Sequence, residues 1–206
     1  MAVTLLNKNK RLKALVLTLE LLALAVFVYL IALPFFPAIE YNMQDNTANN
    51  QQDIKSVEKA VGEIKNHLPK TADAPPVNRL VITKIGVNAP IIDSQNEKYG
   101  LNHGAWRLPE TATPDKKGNT VISGHRFKYF PPNNLTFYLL DKLAVNDIIF
   151  VSWQEKDYYY KVKEVKRVKN TEVSILNQSD KKLLTLFTCD PIFSQENRLV
   201  VISELL

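Results

Sequence analysis

The sequence predicts a mainly β domain, a closed barrel or a sandwich, behind a single N-terminal transmembrane helix. Three observations predict it. Between Arg79 and Ser203 run short segments rich in Val, Ile, Tyr and Thr, separated by turn residues. Within that region only Leu135 to Leu143 has helical spacing, with Leu135, Tyr138, Leu139 and Leu143 on one side. Near the amino end, Ala14 to Leu33 is an apolar stretch of 20 residues whose only charge is Glu20. A chain of 206 residues, 46% hydrophobic and 23% charged, has room for one cored domain and an extension and is too apolar for disorder.

The apolar stretch matches a hydrocarbon core of roughly 30 Å at 1.5 Å per helical residue. Lys8, Lys10, Arg11 and Lys13 precede it, so the amino terminus is expected to stay in the cytoplasm and everything after residue 38 to lie outside. Tyr29, Phe35 and Phe36 fall where aromatic belts form, and Pro34 and Pro37 are expected to stop the helix. A cleaved signal peptide would show a shorter apolar region, roughly 7–15 residues, and a small-x-small cleavage site. Neither is evident. Glu20 lies toward the cytoplasmic half, within reach of headgroups or of another helix.

Residues 39–76 are polar, rich in Asn, Gln and Asp, and end in Ala74-Pro75-Pro76, the composition of a spacer. Inside it Ile54, Val57, Val61 and Ile64 recur at three, four and three, which predicts a short helix leaning on the following domain. A self-association seam of that length falls short of the three or more heptads a coiled coil needs.

Beyond Val77 the expected strands are Arg79–Ile85, Thr120–Ser123, Asp147–Trp153, Tyr158–Val168, Leu183–Thr188 and Leu199–Ser203. Closing them into a barrel or stacking them as a sandwich hides edges that otherwise invite aggregation.

Charge excludes one class of function. The formal charge is +5, but the four cations before the apolar stretch and Glu20 leave only +2 for the rest of the chain. No Lys/Arg stripe with interleaved aromatics appears, so no nucleic-acid partner is expected. The single cysteine, Cys189, excludes an intramolecular disulfide and a thiolate metal cluster. An unpaired thiol in an exported chain calls for a purpose.

Three places look chemical. Thr185-Leu186-Phe187-Thr188-Cys189 is an apolar strand that delivers the Cys at its carboxyl end. A thiol attacks as the thiolate, so it benefits from a nearby base or cation. Ser123-Gly124-His125-Arg126 breaks a strand at Gly124 and presents a His. Arg198, nine residues after the Cys, opens the last strand, a spacing that lets an antiparallel return bring both onto one face. A guanidinium there would hold a peptide carbonyl or an oxyanion. Thr188 and Asp190, flanking the Cys, are expected to touch substrate. Asp190 would raise the thiol pKa or take a substrate amine. His103 and His67 compete with His125 as partner, and spacing alone leaves them open.

The words around these residues resemble those of the sortase family. TLFTC matches its TLxTC motif, GNTVISGHR its catalytic-His segment, and CDPIFSQENRLVV its Cys-to-Arg loop and strand. LTFYLLDKLAVNDIIFVSW resembles its short helix, Gly-Asp turn and strand, with Asn146 where the Gly usually stands. The resemblance covers roughly residues 77–206. A papain-like peptidase would place Cys early and His late, the reverse of this order.

The resemblance implies a β-barrel cysteine transpeptidase. Cys189 would attack a sorting signal of the LPxTG kind and form a thioacyl enzyme. His125 would serve as general acid and then base, and Arg198 would stabilise the oxyanion. An amine of a cell-wall precursor or a pilin would release the product. No metal or cofactor is expected, and no carboxylate cluster suggests the calcium site some sortases carry. The CDPIFSQENRLV loop is similar to the class E type, which implies an LAxTG-like signal. Two segments mimic such a signal, Leu68-Pro69-Lys70-Thr71-Ala72 in the spacer and Leu108-Pro109-Glu110-Thr111-Ala112 in the domain. The first would act as a pseudosubstrate if it folded over the site. Two other classes stay open on the residues alone, a dead peptide-binding barrel and a scaffold for surface assembly.

Overall fold

The computed structural model of the chain describes residues 2–45, 53–67, 78–130 and 132–206. The apolar stretch lies in α1 (Ala2–Ala32). A short 3-10 turn, Leu33–Phe35, carries Pro34, and α2 (Phe36–Asp45) follows it. The prolines therefore interrupt the helix without ending helicity, because Pro37 sits in the first turn of α2, where its missing N–H costs nothing. One helical path, Leu12–Met43, is long and apolar enough to cross a membrane. The next helix, α3 (Ile54–His67), confirms the spaced seam. Val57 and Val61 are buried on Val81, Ile148 and Phe150, with Ile64 packed beside them. The seam is thus covered by the chain's own domain. Asp53 caps the helix, its Oδ1 accepting from the Ser56 N–H at 2.8 Å.

Strand β1 (Arg79–Ile82) ends earlier than expected, in a 3-10 turn over Thr83–Ile85 closed by Gly86 at φ 67°. β2 (Val87–Asp93) follows, then α4 (Glu97–His103), β3 (Ala105–Arg107) and β4 (Gly118–Ser123). β5 (Ile148–Trp153) and β6 (Lys156–Lys169) form a hairpin. Gln154 and Glu155 are its two turn residues, both at positive φ, as a turn matched to strand twist requires. β7 (Lys182–Asp190) and β8 (Asn197–Leu205) complete the set. The eight strands close in the order β1-β2-β3-β4-β7-β8-β6-β5. Closure settles the choice between barrel and sandwich. Leu80, Ile122, Ile149, Tyr160, Leu184, Leu186 and Leu199, each at most 1% exposed, fill the interior.

The helix expected over Leu135–Leu143 does not form; turns lead there into a 3-10 turn at Leu140–Lys142. Phe137, Tyr138, Leu139 and Leu140 are buried in succession, as is Leu143, so four adjacent side chains face the interior where a helix would turn some of them outward. Asn133 starts the turn, its carbonyl accepting from the Thr136 N–H and hydroxyl. Asn146 stands at φ 81°, the left-handed conformation that Asn tolerates and that Gly would otherwise supply.

Candidate active site

Two ladders with different directions build the site. β4 and β7 are parallel, from Gly118↔Lys182 to Ser123↔Phe187. Contact runs on past the end of β4, where the Gly124 N–H donates to Phe187 O at 3.3 Å and the Thr188 hydroxyl donates to Gly124 O at 2.7 Å. Continuing that register by two residues sets His125 level with Cys189. β7 and β8 are antiparallel, and there Cys189 is the direct partner of Arg198. Cys189 and Arg198 are therefore cross-strand neighbours with Cα atoms about 5 Å apart, and His125, two residues beyond the last paired residue of β4, extends their row by continuation of that register.

Strand alternation decides which way each side chain points. Leu184, Leu186, Thr188 and Asp190 face the barrel interior, so Cys189 takes the outer face and is half-buried. Arg198 is half-buried on the same face, its Nη1 donating to the Gln195 and Asn197 carbonyls at 3.0 and 3.1 Å. These bonds hold the guanidinium over the β7–β8 loop, with other donors left for a bound carbonyl. His125 leaves β4 where Gly124 passes over Phe137. A Cβ at Gly124 would lie 2.9 Å from that ring. The Phe137 N–H donates to His125 O at 2.8 Å, which fixes the backbone carrying the imidazole.

An open cleft lined by Gln95, Asn96, Glu97, Leu101 and Asn102 ends at His125. Burial holds the His125 pKa below its ordinary value, Lys128 pushes in the same direction, and Glu97 opposes them. The neutral imidazole is favoured, the form that accepts a proton from an incoming amine.

Thr188 and Asp190, expected to touch substrate, lie on the face opposite Cys189. Both point away from Cys189, and their polar atoms are engaged elsewhere. Thr188 is 1% exposed and bound to Gly124. Asp190 Oδ1 takes Arg126 Nη1 at 3.1 Å and Oδ2 takes Arg167 Nε at 2.7 Å. The competing histidines stand outside the row. His103 donates from Nδ1 to Tyr99 O (2.7 Å) and stacks on that ring. His67 ends α3, which packs on β1 and β5, across the barrel order from β7. The signal lookalike at Leu108–Ala112 is built into the barrel. Its Glu110 has φ 63°, its Thr111 hydroxyl donates to Leu108 O at 2.8 Å, and its Ala112 N–H reaches Asn119 O. The other, Leu68–Ala72, lies outside the described residues. Among the described residues no cluster of three or more His, Cys, Asp or Glu forms a metal site.

Sequence reasoning missed Arg126, Glu97, Lys128 and Phe137. Arg126 stood beside the His in the quoted motif, but only the fold shows that it meets Asp190, 64 residues away.

Comparison with known proteins places these features in a family. The family model described as Sortase domain matches residues 80–206. YwpE of Bacillus subtilis, a sortase-designated protein, is 33% identical over 89 residues, 43% of this chain and 84% of its own. Sortase A of Listeria monocytogenes is 27% identical over 172 residues, 81% of this chain and 75% of its own. The crystal structure of Sortase E1 from Streptomyces coelicolor, with a tripeptide in its active site, is 27% identical with a TM-score of 0.56. That likeness covers 63% of this chain and 87% of that one.

Proposed function

The chain belongs to the sortase family of cysteine transpeptidases, and from that premise we propose that Cys189, His125 and Arg198 carry its reaction. The observation that carries the reading is the direct pairing of Cys189 with Arg198 on β7 and β8, with His125 on the segment that leaves the adjacent β4 at the same end of the barrel. His125, neutral at rest, takes the Cys189 thiol proton, and the thiolate attacks the Thr carbonyl carbon of an LPxTG-like or LAxTG-like signal. Arg198 donates to the oxygen as it becomes an oxyanion. The C–N bond to the next residue breaks, imidazolium His125 gives its proton to the departing amine, and a thioester is left on Sγ. An amine of a cell-wall precursor or a pilin lysine then attacks that thioester. His125 takes the amine's proton, the new amide forms and the thiolate is released.

Family members act on surface proteins, and the one membrane-length helix suits a tethered enzyme. Our reading divides the chain into a cytoplasmic tail and anchor at 1–38, a spacer at 39–76 and an outward-facing catalytic domain at 77–206. The class E-like CDPIFSQENRLV loop favours the LAxTG-like signal.

The test uses the full chain in detergent with LPxTG, LPxTA and LAxTG peptides, read by intact mass. An acyl adduct that transfers to an added amine and vanishes in Cys189→Ala is expected. An adduct that persists in Cys189→Ala overturns the assignment.

A further inference from the structure

One residue past each reacting side chain, on the opposite face, lies a charged side chain that the reaction does not use. Arg126 follows His125 and Asp190 follows Cys189. Arg126 is 6% exposed, yet its guanidinium is fully committed. Nε donates to Tyr138 O at 3.0 Å, Nη1 to Asp190 Oδ1 at 3.1 Å and Nη2 to Asp141 Oδ1 at 2.7 Å. Arg167, at the exposed end of β6, takes the second Asp190 oxygen. Two arginines and two aspartates thus form a quartet across one end of the barrel, directly behind the reactive row, which Lys142 Nζ joins at 3.9 Å from Asp141 Oδ2. Buried ion pairs are poor stabilisers, because desolvation offsets their attraction, so such a quartet suggests a task other than stability.

We propose that Arg126 is a positioning residue, its pairing with Asp190 tying the His125 loop to the Cys189 strand and offsetting the carboxylate one residue past the thiol on the opposite face. The proposal rests on the assignment of Cys189 as nucleophile and His125 as its proton partner. Two consequences follow from the geometry. The tie reinforces the segment beyond Gly124, past the last residue of β4 that bonds to β7. The offset charge removes a repulsion that Asp190, adjacent in sequence, would otherwise exert on a thiolate. The remaining charged groups around Cys189 are His125 and Lys128 after β4, Arg198 on β8 with Glu196 before it, Asp141 in the 3-10 turn and Glu97 on α4.

The experiment uses the full chain in detergent and two readouts, the pH profile of Cys189 alkylation by iodoacetamide and peptide turnover. Arg126→Gln is expected to raise the pH of half-maximal alkylation by about one unit, and Arg167→Gln by roughly half a unit. Arg126→Gln is also expected to lower kcat about 10–100-fold while KM stays within about threefold. Adding Asp190→Asn to Arg126→Gln returns the alkylation profile but leaves kcat low, because the charge is gone and so is the tie. Unmoved profiles in both single variants overturn the proposal. If Arg126→Gln does not fold, Arg167→Gln, whose side chain is 64% exposed, decides alone. Alkylation needs no sorting peptide, so an unidentified signal leaves this test intact. Peptide turnover surviving in Cys189→Ala overturns the nucleophile assignment itself. Loss of turnover there, beside wild-type behaviour of the arginine variants, overturns only the role of Arg126.

Discussion

Arg198 is the direct cross-strand partner of Cys189, and two backbone carbonyls of its own loop, Gln195 O and Asn197 O, hold its guanidinium. The charge donor is therefore set before any substrate arrives. Such preorganisation is what makes a donor useful to a developing oxyanion, since no reorganisation is needed as charge appears.

Arg198→Ala is expected to lower kcat/KM by roughly 10²–10³, the cost of losing one oxyanion donor. Arg198→Lys should recover only part of it, because an ammonium lacks the planar fork that serves loop and substrate together. Steady-state turnover of a sorting peptide, with circular dichroism to show that the fold is kept, checks both.

Gly124→Ala should destabilise the domain by about 1–3 kcal/mol, since its Cβ meets the Phe137 ring and the core must shift to admit it. Shortening the ring by Phe137→Leu in the same chain should recover part of that loss. Urea unfolding of the two singles and the double gives the coupling.

His125 should titrate below the usual imidazole range, and removing Lys128 by Lys128→Gln should move it up while Glu97→Gln moves it down. The consequence for stability has a fixed sign. As pH falls through 6.5, the unfolded chain binds the proton first, so the native state loses stability until pH passes the folded pKa. His125→Gln should be spared that loss. NMR titration of the imidazole and unfolding at a series of pH values read the two effects separately.

Val61→Asp should release α3 from β1 and β5 and leave the barrel closed. Val61 is 3% exposed and buried with Val57 on Val81, Ile148 and Phe150, and a carboxylate there would be desolvated against apolar side chains. Hydrogen exchange should speed across Ile54–His67 and not across β7. Acylation of Cys189 should continue at the wild-type rate. Loss of protection throughout the barrel would show that α3 is integral to it.

The parts of the fold that the sequence announced are those with long runs of one periodicity. β5, β6, β7 and β8 are rich in β-branched and aromatic residues and were visible within a few positions. β2 was hidden by Asn88 and Pro90, residues that usually mark turns, and β3 is only 3 residues long. α4 is held by the Asn96 side chain, which accepts from the Tyr99 N–H, and its 7 residues are too few to display an apolar stripe. Leu135–Leu143 misled for the opposite reason: its apolar residues fit a helical stripe, and burial on all sides gave the segment a different use. The same division runs through the site. Cys189, His125 and Arg198 stood in recognisable words. That Thr188 and Asp190 face inward was also legible, from the alternation of Leu184 and Leu186 with their neighbours. The pairing of Asp190 with Arg126 was not, because it depends on which strands the barrel sets side by side.

The parallel β4–β7 ladder has a consequence for the order in which the molecule acquires its chemistry. It pairs segments 64 residues apart, Gly118 with Lys182 and Ser123 with Phe187. Contacts so distant in the chain form late, after loop-closure entropy has been met by nearer ones. Cys189 and Arg198 meet early, through a local hairpin, whereas the imidazole arrives only when the barrel shuts. On the proposed assignment, a nascent chain is expected to carry a thiol and a cation but no proton relay, and to stay idle as a catalyst until folding is essentially finished.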